Sequence, residues 1–160
     1  MHNAALATLG LNWRYLAFDV PPAHLRSAIN GAKALKYIGL NLTVPHKLLA
    51  LEMVDVLDES GRTYGAVNTI RFEALDATGR WRPLAQFAED VPDNIRAQGF
   101  NTDADAIVRA LREDLELQPS DKTAVLVLGA GGAGRVTALK LASESVGALF
   151  LVNRATEKAN

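Results

Sequence analysis

Apolar residues fall into short runs separated by Pro, Gly and charged positions, and their period changes along the chain. Trp13, Tyr15, Leu16 and Phe18 give an aromatic-rich run that suits a strand over 13–20, stopped by Pro21 and Pro22. Leu25, Ala28, Ile29, Ala32 and Leu35 then recur on one face of a helix. Ile38, Leu40 and Leu42 alternate with smaller or polar residues and predict a second strand over 37–42. Pro45 interrupts, residues 47–57 predict a helix, Ser60-Gly61 a turn, and 66–72 a third strand. This alternation predicts a mostly parallel sheet covered by helices, an α/β fold. Residues 73–98 carry Gly79, Pro83, Pro92 and many charges without a sustained period, and read as a hairpin plus loop. Thr102 and Asp105 have the spacing of an acidic capping box, and Ile107, Ala110, Leu111 and Leu115 continue it as a helix over 103–116. After the linker Gln118-Pro-Ser-Asp, the unbroken apolar run 124–128 predicts a strand buried on both faces. Residues 148–152 give the next strand. No repeat or low-complexity tract occurs, and the natural boundary is the 103–116 helix.

With 160 residues, the chain holds one domain or two small ones. Seventeen Lys+Arg against 18 Asp+Glu leave a net charge of −1, which argues against nucleic acid as a partner. The absence of cysteine excludes a disulfide scaffold, a thiol nucleophile and a Cys-based zinc site. No apolar run reaches the roughly 18 residues of a membrane span, and the first residues lack a basic leader. The expectation is a cytoplasmic protein with no membrane partner.

Gly129-Ala130-Gly131-Gly132-Ala133-Gly134 fits G-x-G-x-x-G between a strand and a helix. In that setting the glycines allow a tight turn, close approach of backbone to a pyrophosphate, and close helix–strand packing. The helix N-terminus adds unpaired N–H groups and partial positive charge. The next strand ends at Asn153-Arg154, 19 residues beyond Gly134 for the first of the pair. An acid near there would bond the ribose 2′-hydroxyl of NAD; an arginine instead suits the 2′-phosphate of NADP. The competing reading is a close-packed turn with a surface arginine.

Asn41-Leu-Thr43-Val-Pro45-His-Lys47 follows a predicted strand, where α/β proteins place ligands. Asn41 and Thr43 share one side by alternation, and Pro45 fixes the turn before Lys47. A lysine at a helix start is otherwise a solvated group, and Asp103 is otherwise a first-turn acid favoured by the helix dipole. Asn68 puts an amide into an apolar strand, where it needs partners. His46 reads as structural or solvated, and His2 and His24 lack partners at metal-ligand spacing, so no metal is expected.

Taken in order, Gly39-x-Asn-x-Thr-x-Pro-x-Lys, Gly65-Ala-Val-Asn-Thr-Ile, Asn101-Thr-Asp, the glycine loop with Arg135, and Asn153-Arg154 resemble the shikimate dehydrogenase family. The resemblance covers most of the chain except 73–98. It implies a substrate-binding α/β domain over 1–102, a connecting helix over 103–118, and the start of a Rossmann-type NADP-binding domain over 119–160, both domains incomplete. It makes Lys47 and Asp103 the catalytic pair, with the proton donor open between them. Asn41, Thr43, Asn68 and Asp103 would hold substrate hydroxyls; Gly129 to Gly134, Asn153 and Arg154 would hold NADP. The implied reaction is reversible reduction of 3-dehydroshikimate to shikimate with NADPH, by an intact enzyme that is a monomer or homodimer. Ala106 stands where the family usually has glycine, and Ala155 where it has threonine. The family's Ser-x-Ser segment precedes the part that matches Met1 onward, and its later strands follow Arg154. The expectation is therefore a fragment inactive alone. The alternatives are a non-catalytic remnant that binds nucleotide only, or a quinate-preferring enzyme.

Overall fold

The computed structural model describes residues 1–87 and 90–154. Ala155, the end of the 119–160 unit, and two residues of the 73–98 segment lie outside them. The chain opens with α1 (His2–Thr8) and, after residues without regular structure, runs through α2 (Leu25–Ala34), β1 (Gly39–Asn41), α3 (His46–Leu49) and β2 (Val56–Leu57). It continues through α4 (Glu59–Tyr64), β3 (Thr69–Leu75), β4 (Trp81–Pro83), β5 (Ile95–Phe100) and α5 (Asp103–Glu113). A separate unit follows: β6 (Ala124–Leu128), α6 (Gly132–Ser143) and β7 (Ala148–Val152).

The larger sheet is mixed and mainly antiparallel, a correction to the mostly parallel sheet expected. β3 pairs antiparallel with β1, β4 and β5, and only β2 pairs parallel, with β5. The reason lies in residues 73–98, which hold two strands. Asp76 Oδ1 accepts from Thr78 N (2.8 Å), Thr78 Oγ1 (2.6 Å) and Arg80 N (3.0 Å), folding a tight turn that sends β4 back along β3. β5 then returns on the other side of β3, in register from Thr69↔Phe100 to Ala74↔Ile95. Thus β1, β2, β4 and β5 share one direction, and β3 is reversed among them.

Alternation along β3 turns Ile70, Phe72 and Ala74 toward α2, whose Leu25, Ile29 and Ala32 complete the core with Val67, Ala50, Leu84 and Ala97. The opposite face carries Glu73, 3 % exposed, held by Arg71 (2.5 Å) and Arg96 (2.7 Å). A buried carboxylate is tolerated because both oxygens are paired.

Four further expectations change. Residues 13–20 form no ladder, because among the described residues no strand lies beside them. Instead the Asn3 amide pairs with the Tyr15 backbone (2.9 and 2.7 Å) and His2 stacks on the Tyr15 ring. The 47–57 helix stops at Leu49; the Asp55 carboxylate takes Ala97 N (2.6 Å) and draws the β-branched Val56 into pairing with β5. Ser60-Gly61 lies within α4, where Asp58 is the N-cap and left-handed Gly65 the C-cap. Finally, β6 is covered on one face only: α6 buries Val127, whereas Leu126, Leu128, Phe150 and Val152 are exposed.

Candidate active site

Three segments meet at one end of the mixed sheet, where β1 and β5 finish and β3 begins. The first is 41–47. After a cis Val44–Pro45 bond, His46 N donates to Thr43 O (2.8 Å) to open α3. Val67 N donates to Lys47 O (2.8 Å), tying that turn to the second segment, 66–68. Asn68 is clamped on both sides, its N–H to Phe100 O (3.0 Å) and its carbonyl accepting from Leu42 N (2.7 Å). The third segment is 100–103. Asn101, 4 % exposed, donates from Nδ2 to Ala66 O (3.0 Å), and its Oδ1 accepts from Asp103 N (3.1 Å). The capping box expected of Thr102 and Asp105 does not form, because the Thr102 hydroxyl is engaged by Asn68 and Asn101 satisfies the first turn of α5 instead.

These backbone clamps bring Lys47 and Asn68 each into contact with Asp103. Lys47 Nζ donates to Asp103 Oδ2 at 2.7 Å, and the two side chains are 15 % and 27 % exposed. Asn68 Nδ2 donates to Asp103 Oδ1 at 2.7 Å, so both oxygens of the carboxylate are held. The remaining capacity of Asn68 goes to Thr102, through Nδ2 to Oγ1 (3.0 Å) and from Thr102 N to Oδ1 (3.0 Å), and to Thr69 Oγ1, which donates to Oδ1 (3.0 Å). Asn41 joins through Thr69, donating from Nδ2 to its Oγ1 at 3.2 Å. Thr43 is exposed on the same segment. His46 packs beside Lys47 with its Nδ1 buried and unpartnered.

Thr69, Thr102 and Asn101 are members of this cluster that the sequence reading did not single out, although each stands inside a motif it named. The signal was available: a buried amide such as Asn68 has four hydrogen-bonding positions to satisfy, and the flanking hydroxyls are the nearest means.

The glycine loop stands against this cluster. Gly129 has φ +104°, and a Cβ on Gly134 would lie 1.8 Å from Gly129 O, so the turn closes only with glycine there. Asn153 Oδ1 accepts from Ala130 N (3.1 Å), fastening the loop to the end of β7, where Arg154 is exposed. The stem of Lys47 lies against Gly132, with its Cβ and Cδ 3.8 Å from where a Cβ would stand there. Buried Ala66, Ala104 and Val136 pack the two units together beneath. A cleft of about 400 Å³ opens above them, lined by Lys47, Asp103, Ala106, Ile107, Ala110, Ala133 and Thr137. Among the described residues no cluster of His, Asp or Glu could hold a metal ion, and no helix is long and apolar enough to cross a membrane.

Residues 1–70 match the family model described as the shikimate dehydrogenase substrate binding domain. The shikimate dehydrogenase (NADP(+)) of Methanopyrus kandleri is 42 % identical over 159 residues, covering 99 % of this chain and 48 % of that protein. The structure of shikimate 5-dehydrogenase from Thermus thermophilus, in complex with NADP(H) and shikimate, superimposes with a TM-score of 0.76 at 32 % identity, over 99 % of this chain and 51 % of that one. The ligand-free 5-ketofructose reductase of Gluconobacter sp. strain CHM43 gives a TM-score of 0.71 at 32 % identity, over 98 % and 48 %. The chain thus spans about half the length of the curated relatives it matches. With the ordered motifs placed at one cleft, the chain is similar to shikimate dehydrogenases through nearly all of its own length and over about half of theirs.

Proposed function

We propose that this chain supplies the substrate site and the pyrophosphate loop of an NADP-dependent shikimate dehydrogenase, interconverting 3-dehydroshikimate and shikimate. The substrate unit is residues 1–102, the connecting segment 103–118 and the nucleotide unit 119–160. One observation carries the reading: the Lys47–Asp103 ion pair lies on the wall of a cleft whose other wall is the start of α6.

Reduction of a ketone builds negative charge on its oxygen, which must be stabilised and protonated. The Lys47 ammonium has three N–H donors, and Asp103 occupies one of them. The others serve the substrate oxygen, and the half-buried position strengthens that contact relative to water. Asp103 fixes where the ammonium sits, and Asn68 in turn fixes the carboxylate. Asn41 and Thr43, on the open side of the cluster, take ring hydroxyls. The glycine turn fits a pyrophosphate, since Gly129 and Gly131 leave open space beside the backbone and α6 begins there. Arg154 is the group for a 2′-phosphate, and Asn153 holds the loop. When bound, NADPH supplies the hydride; the chain supplies orientation, the proton and charge.

The test is a pair of titrations on the purified chain. Fluorescence should show NADPH binding at least ~10-fold more tightly than NADH, with the preference lost in Arg154→Ala. Calorimetry should show shikimate binding that Lys47→Met weakens by about tenfold or more. Equal affinity for both nucleotides, or no heat with shikimate, would overturn the assignment.

A further inference from the structure

The network around Asn68 has a direction that chemistry fixes from one end to the other. Asp103 as a carboxylate only accepts hydrogen bonds, so the atom of Asn68 facing its Oδ1 at 2.7 Å must be Nδ2. Asn68 therefore turns Oδ1 to the other side, where Thr102 N donates to it at 3.0 Å. A backbone N–H cannot reverse its role, so the orientation is fixed twice. The Thr69 hydroxyl, 3.0 Å from the same Oδ1, must spend its single proton there. With that proton used, Thr69 Oγ1 can only accept from Asn41, 3.2 Å away, and Asn41 must offer Nδ2. The Asn41 amide is left with Oδ1 on its far side, and Asn41 is exposed at the end of β1. An isolated surface asparagine would turn freely and show either end to a ligand.

We propose that Thr69 is a positioning residue that sets substrate specificity: it transmits the orientation imposed by Asp103 to Asn41, so that Asn41 presents an acceptor and reads a hydroxyl donor on the ligand. This rests on the shikimate reading above, which supplies the ligand. It adds that a hydroxyl, and not a keto oxygen or carboxylate, occupies the position beside Asn41, because two acceptors facing each other repel. The cross-strand register supports it, since Asn41 pairs with Thr69 across β1 and β3 and the two side chains share one face.

Two variants separate hydroxyl from shape. Thr69→Val keeps volume and strand preference and removes the hydroxyl; Thr69→Ser keeps the hydroxyl. Solvent exchange of the Asn41 side-chain amide, followed by NMR in the ligand-free chain, should quicken about fivefold or more in Thr69→Val and stay within about twofold in Thr69→Ser. Shikimate analogues each lacking one ring hydroxyl should include one that the parent and Thr69→Ser reject by ~10-fold or more. In Thr69→Val that rejection should fall below about threefold, because the freed amide turns to suit either ligand. Unchanged amide exchange in Thr69→Val, or unchanged discrimination with shikimate binding intact, would overturn the proposal. If the parent fails to bind shikimate while the Asn41 amide responds to Thr69→Val and not to Thr69→Ser, the orienting role stands and the shikimate reading falls.

Discussion

Asp103 does three things at once: it starts α5, pairs with Lys47 and takes the amide of Asn68. Each role alone has an ordinary structural explanation, and only their coincidence on one carboxylate makes a site. The pair is half-buried, so its charges are less screened than those of surface pairs such as Arg109–Glu113, whose side chains are 74 % and 59 % exposed. Asp103→Asn keeps size and polarity but replaces one acceptor by an NH₂ that faces either the Lys47 ammonium or the Asn68 amide. That like-to-like contact should release Lys47 and turn Asn68. The expected outcome is a loss of shikimate affinity of about 10- to 100-fold, corresponding to a charge-assisted hydrogen bond. NADPH affinity should move by less than about twofold, because the glycine loop does not use Asp103. Calorimetry with each ligand checks both halves, and an equal loss for both would mean that the substitution had disturbed the packing between units.

At the scale of elements, helix ends carry much of the precision. Asp58 caps α4, accepting from Ser60 N (2.9 Å) and Ser60 Oγ (2.7 Å). That hydroxyl also accepts from Asn101 N (3.0 Å), so the cap reaches the turn that presents Asp103. The Ser60 side chain and backbone bonds hold the Asp58 carboxyl below its ordinary value of 3.8. The stability it contributes is therefore fully present above pH 3.8 and is lost as pH falls through the lower folded-state value, since the unfolded chain takes up its proton first. Asp58→Ala should cost about 1 kcal/mol at neutral pH, and urea melts should show that difference shrinking on acidification below the carboxylate range. Gly134→Ala tests the other end of the site: its Cβ would collide with Gly129 O, so the loop must open, with at least ~10-fold weaker NADPH binding expected while shikimate binding holds. The sequence showed these elements unevenly. α2 was legible because one helical period runs through it, β6 and β7 as short apolar runs, and α6 from the glycine turn that precedes it. The β3–β4 hairpin falls where a hairpin was read, whereas β5 and the early end of α3 were hidden: their form is set by contacts distant in sequence, such as Asp55 with Ala97, which periodicity does not record. That Lys47, Asn68 and Asp103 come together was legible from the order of motifs; the links through Thr69 and Thr102 were not, because a threonine beside an asparagine looks the same whether or not it bonds to it.

The described residues form two units joined through α5 and α6. Below the cleft, Lys140 on α6 reaches Asp105 (3.2 Å) and Glu144 (3.0 Å), and Arg112 on α5 reaches Glu144 (2.7 Å). This network crosses from one helix to the other on the side of α5 away from Lys47, while Ala66, Ala104 and Val136 make the dry contact between. It ties the two helices together, but among the described residues the β6–β7 sheet is covered by α6 on one face alone. The other face exposes Leu126 (60 %), Leu128 (77 %), Phe150 (59 %) and Val152 (53 %), a contiguous apolar surface of the kind proteins cover. Two parallel strands and one helix give little cooperative stability, so the β6–α6–β7 unit should open more readily than the mixed sheet with its core around Phe72. Hydrogen exchange should show this as amides of β6 and β7 exchanging at least ~10-fold faster than those of β3 and β5. A loosely held loop lowers the fraction of molecules in which the nucleotide site and Lys47 face each other. The 160-residue chain should therefore bind shikimate through the stable unit, yet reduce NADP with shikimate at less than about a tenth of the rate of the Methanopyrus kandleri relative. A rate within tenfold of that relative, with protected β6 and β7 amides, would show that α5, α6 and their salt bridges suffice to hold the two halves of the site together.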